Sequence, residues 1–331
     1  YILGPEVQIL EKKLSEFTGS KHVVACSSGT DAILMALMSL GIKRGDEVIT
    51  TAFTWMSNVE MIKLLGAVPV YADICKKTFN IDPIEIKKKI TKNTKAILAV
   101  SLFGQTADFK EINNIAKEKK IKVIEDAAQS FGAKHYKNRS CNLTDIAITS
   151  FFPTKPLGGY GDGGACFTKS KKIFKKLKMI RNHGQIKKGR NLILGLNARL
   201  DTIQAAVILC KLEIFNKEIK LREKVASIYD DQLRDCNHIE TPHITKFNKS
   251  VYAQYSVLCK NRNKIIKSLK YNKIPYSIFY DKPVYQQKAY KVLSLKLKNT
   301  ELASKKILSL PFHPYLKFNL QKKIINALKN L

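Results

Sequence analysis

A chain of 331 residues with 45% hydrophobic content can bury a sizeable core and is long enough for two domains. Its formal net charge of +31 comes from 50 lysines and 8 arginines against 27 acids, with lysine runs such as KKKITKNTK and KSKKIFKKLK spread over the whole length. Dispersed lysine without arginine forks or interleaved aromatics reads as a solvated surface that attracts anions generally, which argues against a dedicated nucleic-acid reader.

In chain order, PEVQILEKKLSEFTG reads as a helix with Val7, Leu10, Leu14 and Phe17 on one face and Gly19 as its stop. Then follow HVVACS (strand), GTDAILMALMSLG (helix), DEVITT (strand), NVEMIKLLG (helix) and VPVYADI (strand). KAILAVSL, IKVIEDAA, IAITSF and GACFT read as further strands, with FKEINNIAKEKK a helix between the first two. Strands alternating with helices imply an α/β fold, a mostly parallel sheet between helical layers. From NARLDTIQAAVILC onward one long helix, or two end to end, leads out of this unit. The boundary is placed near residue 215, giving a large domain over 1–215 and a smaller α+β domain over 216–331. In the latter, SVYAQYSVLC reads as a strand, and IIKSLKYNKI and LQKKIINALKN as helices.

No apolar run of about 18 residues is present, so no membrane-spanning helix is expected. The first residue is Tyr1, which suggests trimming, and the segment after it lacks the basic start and apolar core of a signal peptide. Seven scattered cysteines without a C-x-x-C pair suit reduced thiols in a cytoplasmic protein, with no disulfide framework and no metal site.

In open parallel sheets ligands sit beyond the carboxyl ends of the strands, so the residues just after them matter most. After HVVACS stand Ser27, Ser28, Gly29 and Thr30 at a helix start, either an ordinary N-cap or a cradle for a phosphate. Asp126 ends another strand, with Gln129 one turn on; its carboxylate can bridge to an arginine, cap a helix, or pair with a protonated ring nitrogen. Lys155, in SFFPTKPLGGYGDGG, is boxed in by Phe151, Phe152, Pro153, Pro156 and glycines. A desolvated lysine supplies a neutral amine for bonding to a carbonyl, and glycines let the backbone pass close to a planar ligand. A phosphate cradle, a strand-end aspartate and a desolvated lysine are together the contacts that pyridoxal 5'-phosphate requires.

The motifs ACSSGTDA, GDEVITTAFTW, EDAAQSFGA, SFFPTKPLGGYGDGGA, RNHG and NARLDTIQAA resemble those of the DegT/DnrJ/EryC1/StrS sugar aminotransferases, from YILGPEV to LPFHPYL. The resemblance implies a fold-type I pyridoxal-phosphate enzyme, a homodimer with shared active sites, and L-glutamate as amino donor, leaving 2-oxoglutarate. It further implies that Lys155 bonds to the cofactor, that Asp126 pairs with the ring nitrogen, and that Gln129 lies near the ring hydroxyl. Ser28, Gly29, Thr30 and Ser150 hold the phosphate, Trp55 stacks on the ring or is a core aromatic, and Asn197 reaches the neighbouring subunit's phosphate. Lysine rather than histidine at position 155 argues for transamination over dehydration.

Within that family the wording is most similar to the branch that aminates C3 of UDP-2-acetamido-2-deoxy-3-oxo-glucuronate, for surface polysaccharides. Rival substrates are a UDP-4-keto-hexose and a dTDP-3-keto-hexose. Arg199 is a candidate clamp for the sugar carboxylate, or a salt-bridge partner of Asp201; His183 lines the substrate side, or caps or packs in the core. SIFYDKPVYQQ departs from the family: Phe279 and Tyr285 stand where relatives carry histidines, while Tyr280 and Pro283 remain to line the sugar pocket. His313 fits the family pattern as a structural residue.

Overall fold

The computed structural model describes residues 2–187 and 189–329; Asn330, which closes the expected last helix, lies outside them. The helices are α1 (Pro5–Thr18), α2 (Gly29–Leu40), α3 (Ser57–Leu64), α4 (Pro83–Lys89), α5 (Phe109–Lys119), α6 (Lys171–Arg181), α7 (Thr202–Leu233), α8 (Arg262–Tyr271), α9 (Lys298–Lys306) and α10 (Phe318–Lys329). The strands are β1 (His22–Cys26), β2 (Glu47–Thr51), β3 (Val68–Ala72), β4 (Thr94–Val100), β5 (Lys122–Asp126), β6 (Lys134–His135), β7 (Asn138–Arg139), β8 (Ile146–Ser150) and β9 (Gly164–Thr168), then β10 (Gln185–Lys187), β11 (Arg190–Asn191), β12 (Ile239–Glu240), β13 (Asn248–Lys249), β14 (Tyr255–Cys259) and β15 (Ile307–Leu310).

A seven-stranded sheet in the order β1-β9-β8-β5-β4-β2-β3 forms the centre. Only β9 runs against the others, pairing antiparallel with β1 and with β8. Strand alternation sorts the apolar side chains onto two faces. Val24, Cys26, Leu98 and Ile124 pack with α2, α3 and α6. Val23, Ala25 and Phe167 meet α1 and α7, while Ile97, Ala99 and Val123 meet α4 and α5.

The amphipathic α1 buries Val7, Leu10 and Leu14 against this core and stops at Gly19, whose φ of 78° is the left-handed cap glycine favours. Each such buried side chain contributes about 1.5–3 kcal/mol. The lysine-rich α6 does the same with Leu177 and Ile180 while Lys171, Lys172, Lys175 and Lys178 face outward.

Position 215 lies inside α7, an unbroken helix of 32 residues. Its first half packs Ala205, Ile208 and Phe215 on the large sheet. Its second half packs Val225, Ala226, Tyr229 and Leu233 on a second core built with the sheet β12-β14-β15, α8 and α10. The segment between β12 and β14 is stitched back to the large-sheet unit: β13 pairs with β6, and the backbone of Val251 and Ala253 bonds to Gly104 and Phe103.

Candidate active site

The register of β9 places Gly164 opposite both Cys26 and Ser150, so the chain leaves β1 and β8 at one edge of the sheet. There Ser28 caps α2: Asp31 N donates to its Oγ at 3.0 Å, and that Oγ donates to Asp31 Oδ2 at 3.0 Å. Ser27 Oγ donates to the same carboxylate oxygen. Both serine hydroxyls are here turned toward Asp31. The N–H groups of Gly29 and Thr30 lack partners within the helix by its geometry, and the helix dipole favours an anion before them. Ser150 Oγ accepts from Phe152 N at 3.2 Å and keeps its own hydrogen to donate. A Cβ on Gly29 would stand 2.7 Å from Ser150 Cβ, so only glycine lets the helix start abut the end of β8.

Asp126, at the end of β5, is 6% exposed. Asn58 Nδ2 donates to its Oδ2 at 2.8 Å and Ala128 N to its Oδ1 at 3.0 Å. Burial pushes its carboxyl up from the ordinary value, opposed by these two donors and by Lys155. Burial in turn lowers the Lys155 ammonium, opposed by Asp126. A mostly desolvated amine and a carboxylate thus face one another.

The loop bearing Lys155 is a tight fold of its own. Lys155 N donates to Phe152 O at 2.9 Å, Gly159 N to Phe151 O at 2.7 Å and Phe151 N to Gly163 O at 2.7 Å. A Cβ on Gly158 would lie 2.6 Å from Pro153 O. This glycine therefore serves the loop's own backbone, not the approach of a ligand as the sequence suggests. Phe151 and Pro156 are buried, whereas Phe152 is 46% exposed and contributes less to desolvation than expected.

Gln129 Oε1 accepts from Phe103 N at 2.8 Å, and Nε2 donates to Tyr280 Oη at 3.2 Å. The amide nitrogen has a second hydrogen for a ligand oxygen. Burial raises the Tyr280 phenol, which therefore stays protonated at neutral pH. Its ring lies edge-on to Phe53 at 5.9 Å and tilted to Trp55 at 6.4 Å between centroids. Trp55 is 55% exposed and is no core residue.

The segment after α6 brings Asn197 and Arg199 beside the cradle, since Ser27 N donates to Ala198 O at 3.2 Å. Asn182 and Asn197 form an antiparallel bridge, and the Asn197 side chain is exposed. Among the described residues Arg199 forms no ion pair, with Asp201 or any other acid, and its buried Nε has no partner. His183 is exposed and not a core residue; its N donates to Leu196 O at 2.8 Å, and Asn191 Nδ2 donates to its carbonyl at 2.6 Å. Tyr285 turns away into a separate cluster, donating to Glu301 at 2.7 Å. His313 Nδ1 accepts from Tyr315 N at 3.2 Å, a turn contact.

Two contributors escape the sequence reading. Asn58 grips Asp126, and Gln204 Oε1 accepts from Tyr160 N at 2.8 Å, bracing the lysine loop. Asn58 is buried in α3 together with Val59 and Ile62, and no local pattern marks it.

The donors and charges fit pyridoxal 5'-phosphate: Gly29, Thr30 and Ser150 for the phosphate, Asp126 for the ring nitrogen, Lys155 for the aldehyde carbon. Similarity to known proteins agrees. The chain is 49% identical over 330 residues to UDP-2-acetamido-2-deoxy-3-oxo-D-glucuronate aminotransferase of Pseudomonas aeruginosa, covering 100% of this chain and 92% of that protein. A DegT/DnrJ/EryC1/StrS aminotransferase from Brucella abortus superposes with a TM-score of 0.94 at 40% identity, covering 100% of this chain and 91% of the other. NtdA from Bacillus subtilis, solved with bound cofactor PMP, superposes with a TM-score of 0.93 at 32% identity, over 99% of this chain and 77% of the other. The sequence pattern of one family matches residues 1–329, so these strand-end groups stand in a chain that belongs to the DegT/DnrJ/EryC1/StrS aminotransferase family.

Proposed function

We propose that the chain is a pyridoxal-phosphate-dependent aminotransferase that moves the amino group of L-glutamate onto C3 of UDP-2-acetamido-2-deoxy-3-oxo-glucuronate. It acts in the cytoplasm, on the way to a surface polysaccharide, as a homodimer with active sites shared between subunits. The observation that carries the choice of sugar is the full-length identity of 49% to the Pseudomonas aeruginosa enzyme.

When bound, the cofactor supplies a conjugated ring that takes up the electron pair left on the donor's α-carbon. Everything else falls to the chain. Lys155 would hold the aldehyde carbon and, once released, its desolvated Nζ would carry a proton from the donor's α-carbon to C4' of the cofactor, and in the second half-reaction from C4' to C3 of the sugar. Asp126 accepts the N–H of the ring and keeps that nitrogen protonated. Gly29, Thr30 and Ser150 anchor the phosphate, with Asn197 of each subunit reaching toward the other's site. Ser28 contributes by capping α2 through Asp31.

Trp55 stacks on the cofactor ring, and Tyr280, whose ring lies 6.4 Å from it between centroids, lines the sugar side. The unpaired guanidinium of Arg199 suits a carboxylate, since a planar fork meets two oxygens at once. His183 lies further along the same segment and belongs to the substrate side.

Incubation of the pure protein with L-glutamate and each UDP- or dTDP-linked keto-sugar tests the assignment by product mass. The expected result is efficient conversion of the 3-oxo-glucuronate derivative, with 2-oxoglutarate formed in equal amount. Faster amination of a UDP-4-keto-hexose or a dTDP-3-keto-hexose would overturn the choice of sugar.

A further inference from the structure

We infer that Asn58 is a positioning residue for this reaction: its side-chain amide turns and holds the Asp126 carboxylate toward the ring nitrogen of the cofactor. The inference rests on the reading of Asp126 given above. Asn58 is the second residue of α3 and is fully buried.

Its Nδ2 lies 2.8 Å from Asp126 Oδ2, while Ala128 N takes Oδ1 at 3.0 Å. One donor on each oxygen fixes the rotation of the carboxylate and leaves the remaining lone pairs for the pocket. Nδ2 also lies 3.4 Å from Thr54 Oγ1, so the NH2 group sits between two oxygens and the amide has one sensible orientation. The consequence is a buried Asn58 Oδ1 without a partner among the described residues. A leucine would fill a similar volume without burying an unpaired carbonyl, so packing alone does not account for an amide here. Pairing with a buried carboxylate does.

The other titratable groups whose charge reaches Asp126 are Lys155 in the loop after β8, Tyr280 in the C-terminal segment and, across β5 on its opposite face, Glu125 and Cys141. Only Lys155 among them carries a positive charge. Burial makes Tyr280, Glu125 and Cys141 hold their protons more tightly, and Asp126 adds a smaller contribution to each. Asn58 is the neutral side chain that donates to Asp126 and so favours its ionised, accepting form.

The test uses holoenzyme with Asn58→Leu, Asn58→Ala and Asn58→Thr, the last retaining a hydroxyl donor. Two quantities are read: the rate of the half-reaction with glutamate at saturating donor, and the pH at which the bound cofactor's visible band titrates. Losing a hydrogen bond to a charged group predicts a fall of about tenfold or more in that rate for the leucine variant, with KM for glutamate little changed. The titration midpoint moves in the leucine and alanine variants, and threonine restores both quantities to within a few-fold of the parent. A merely structural role would lower thermal stability and leave the midpoint where it was. Wild-type rate and midpoint in the leucine variant, or equal loss with threonine and alanine, would overturn the inference. If the leucine variant does not fold, the threonine–alanine contrast decides alone. A parent protein whose visible band is absent, or indifferent to glutamate, overturns the reading of the site and this inference with it.

Discussion

At the ends of β1 and β5, most of the polar groups that matter are already paired within one chain: Asp126 by Asn58 and Ala128, Gln129 by Phe103 and Tyr280, Ser28 by Asp31. The segment from 182 to 199 differs. It carries an exposed Asn197, an unpaired Arg199 Nε, and apolar side chains in the open, Ile186 at 59% and Leu194 at 83%. Exposed apolar residues beside a pocket suit the homodimer proposed above. The groups around Asp126 are set within one chain, whereas the segment 182–199 carries the residues that the proposed partner would meet.

The largest effect should come from breaking the finished half. Lys155→Ala is expected to lower kcat by about a thousandfold or more, because the residue both anchors the cofactor and moves the proton. A visible band that survives unchanged, with turnover intact, would show that another group does this work.

The next effect concerns the opposite face of β5. Glu125 is fully buried, and burial pushes its carboxyl up to about 7 against Ser140, Cys141 N–H and Ser101, with Asp126 adding to the rise. A carboxyl whose folded value is raised binds its proton more tightly when folded. Its stabilising contribution is therefore complete at low pH and is lost as pH rises from the ordinary value of 4.5 through about 7. The loss amounts to roughly 3 kcal/mol. Thermal unfolding followed from pH 5 to 8 checks this, and Glu125→Gln should flatten the curve.

Two smaller effects probe the unfinished half. Asn197→Ala should weaken cofactor binding by about tenfold, and dilution of the parent below its dimer dissociation constant should do likewise, as read by an equilibrium titration. Arg199→Lys should raise KM for the UDP-keto-sugar several-fold while sparing the glutamate half-reaction, since an ammonium cannot reproduce the two-point contact of a guanidinium.

What was legible in the sequence follows the same division. Lys155, Asp126 and the Ser27–Thr30 start of α2 stand out because chemistry-bearing residues interrupt apolar strands at their carboxyl ends. The alternation of strands and helices likewise gives away the large sheet. Asn58 stays hidden because its meaning lies 68 positions away at Asp126. The claim of Asp31 on both serines, and the reversal of β9, depend on side-chain geometry and strand order that no local pattern carries. α6 hides for another reason: KKIFKKLKMIR looks like a charge run, yet every third or fourth residue is apolar and turns inward. Tyr285, in a histidine's place within the chain's pattern, proves to be structural through Glu301.

The most direct measurement is borohydride reduction of the cofactor-loaded protein followed by peptide mass mapping. With 50 lysines available, the pyridoxyl mass should fall on Lys155 alone, and prior addition of L-glutamate should abolish the labelling. Label on a different lysine, label spread over many, or label unaffected by glutamate would contradict the assignment of the site.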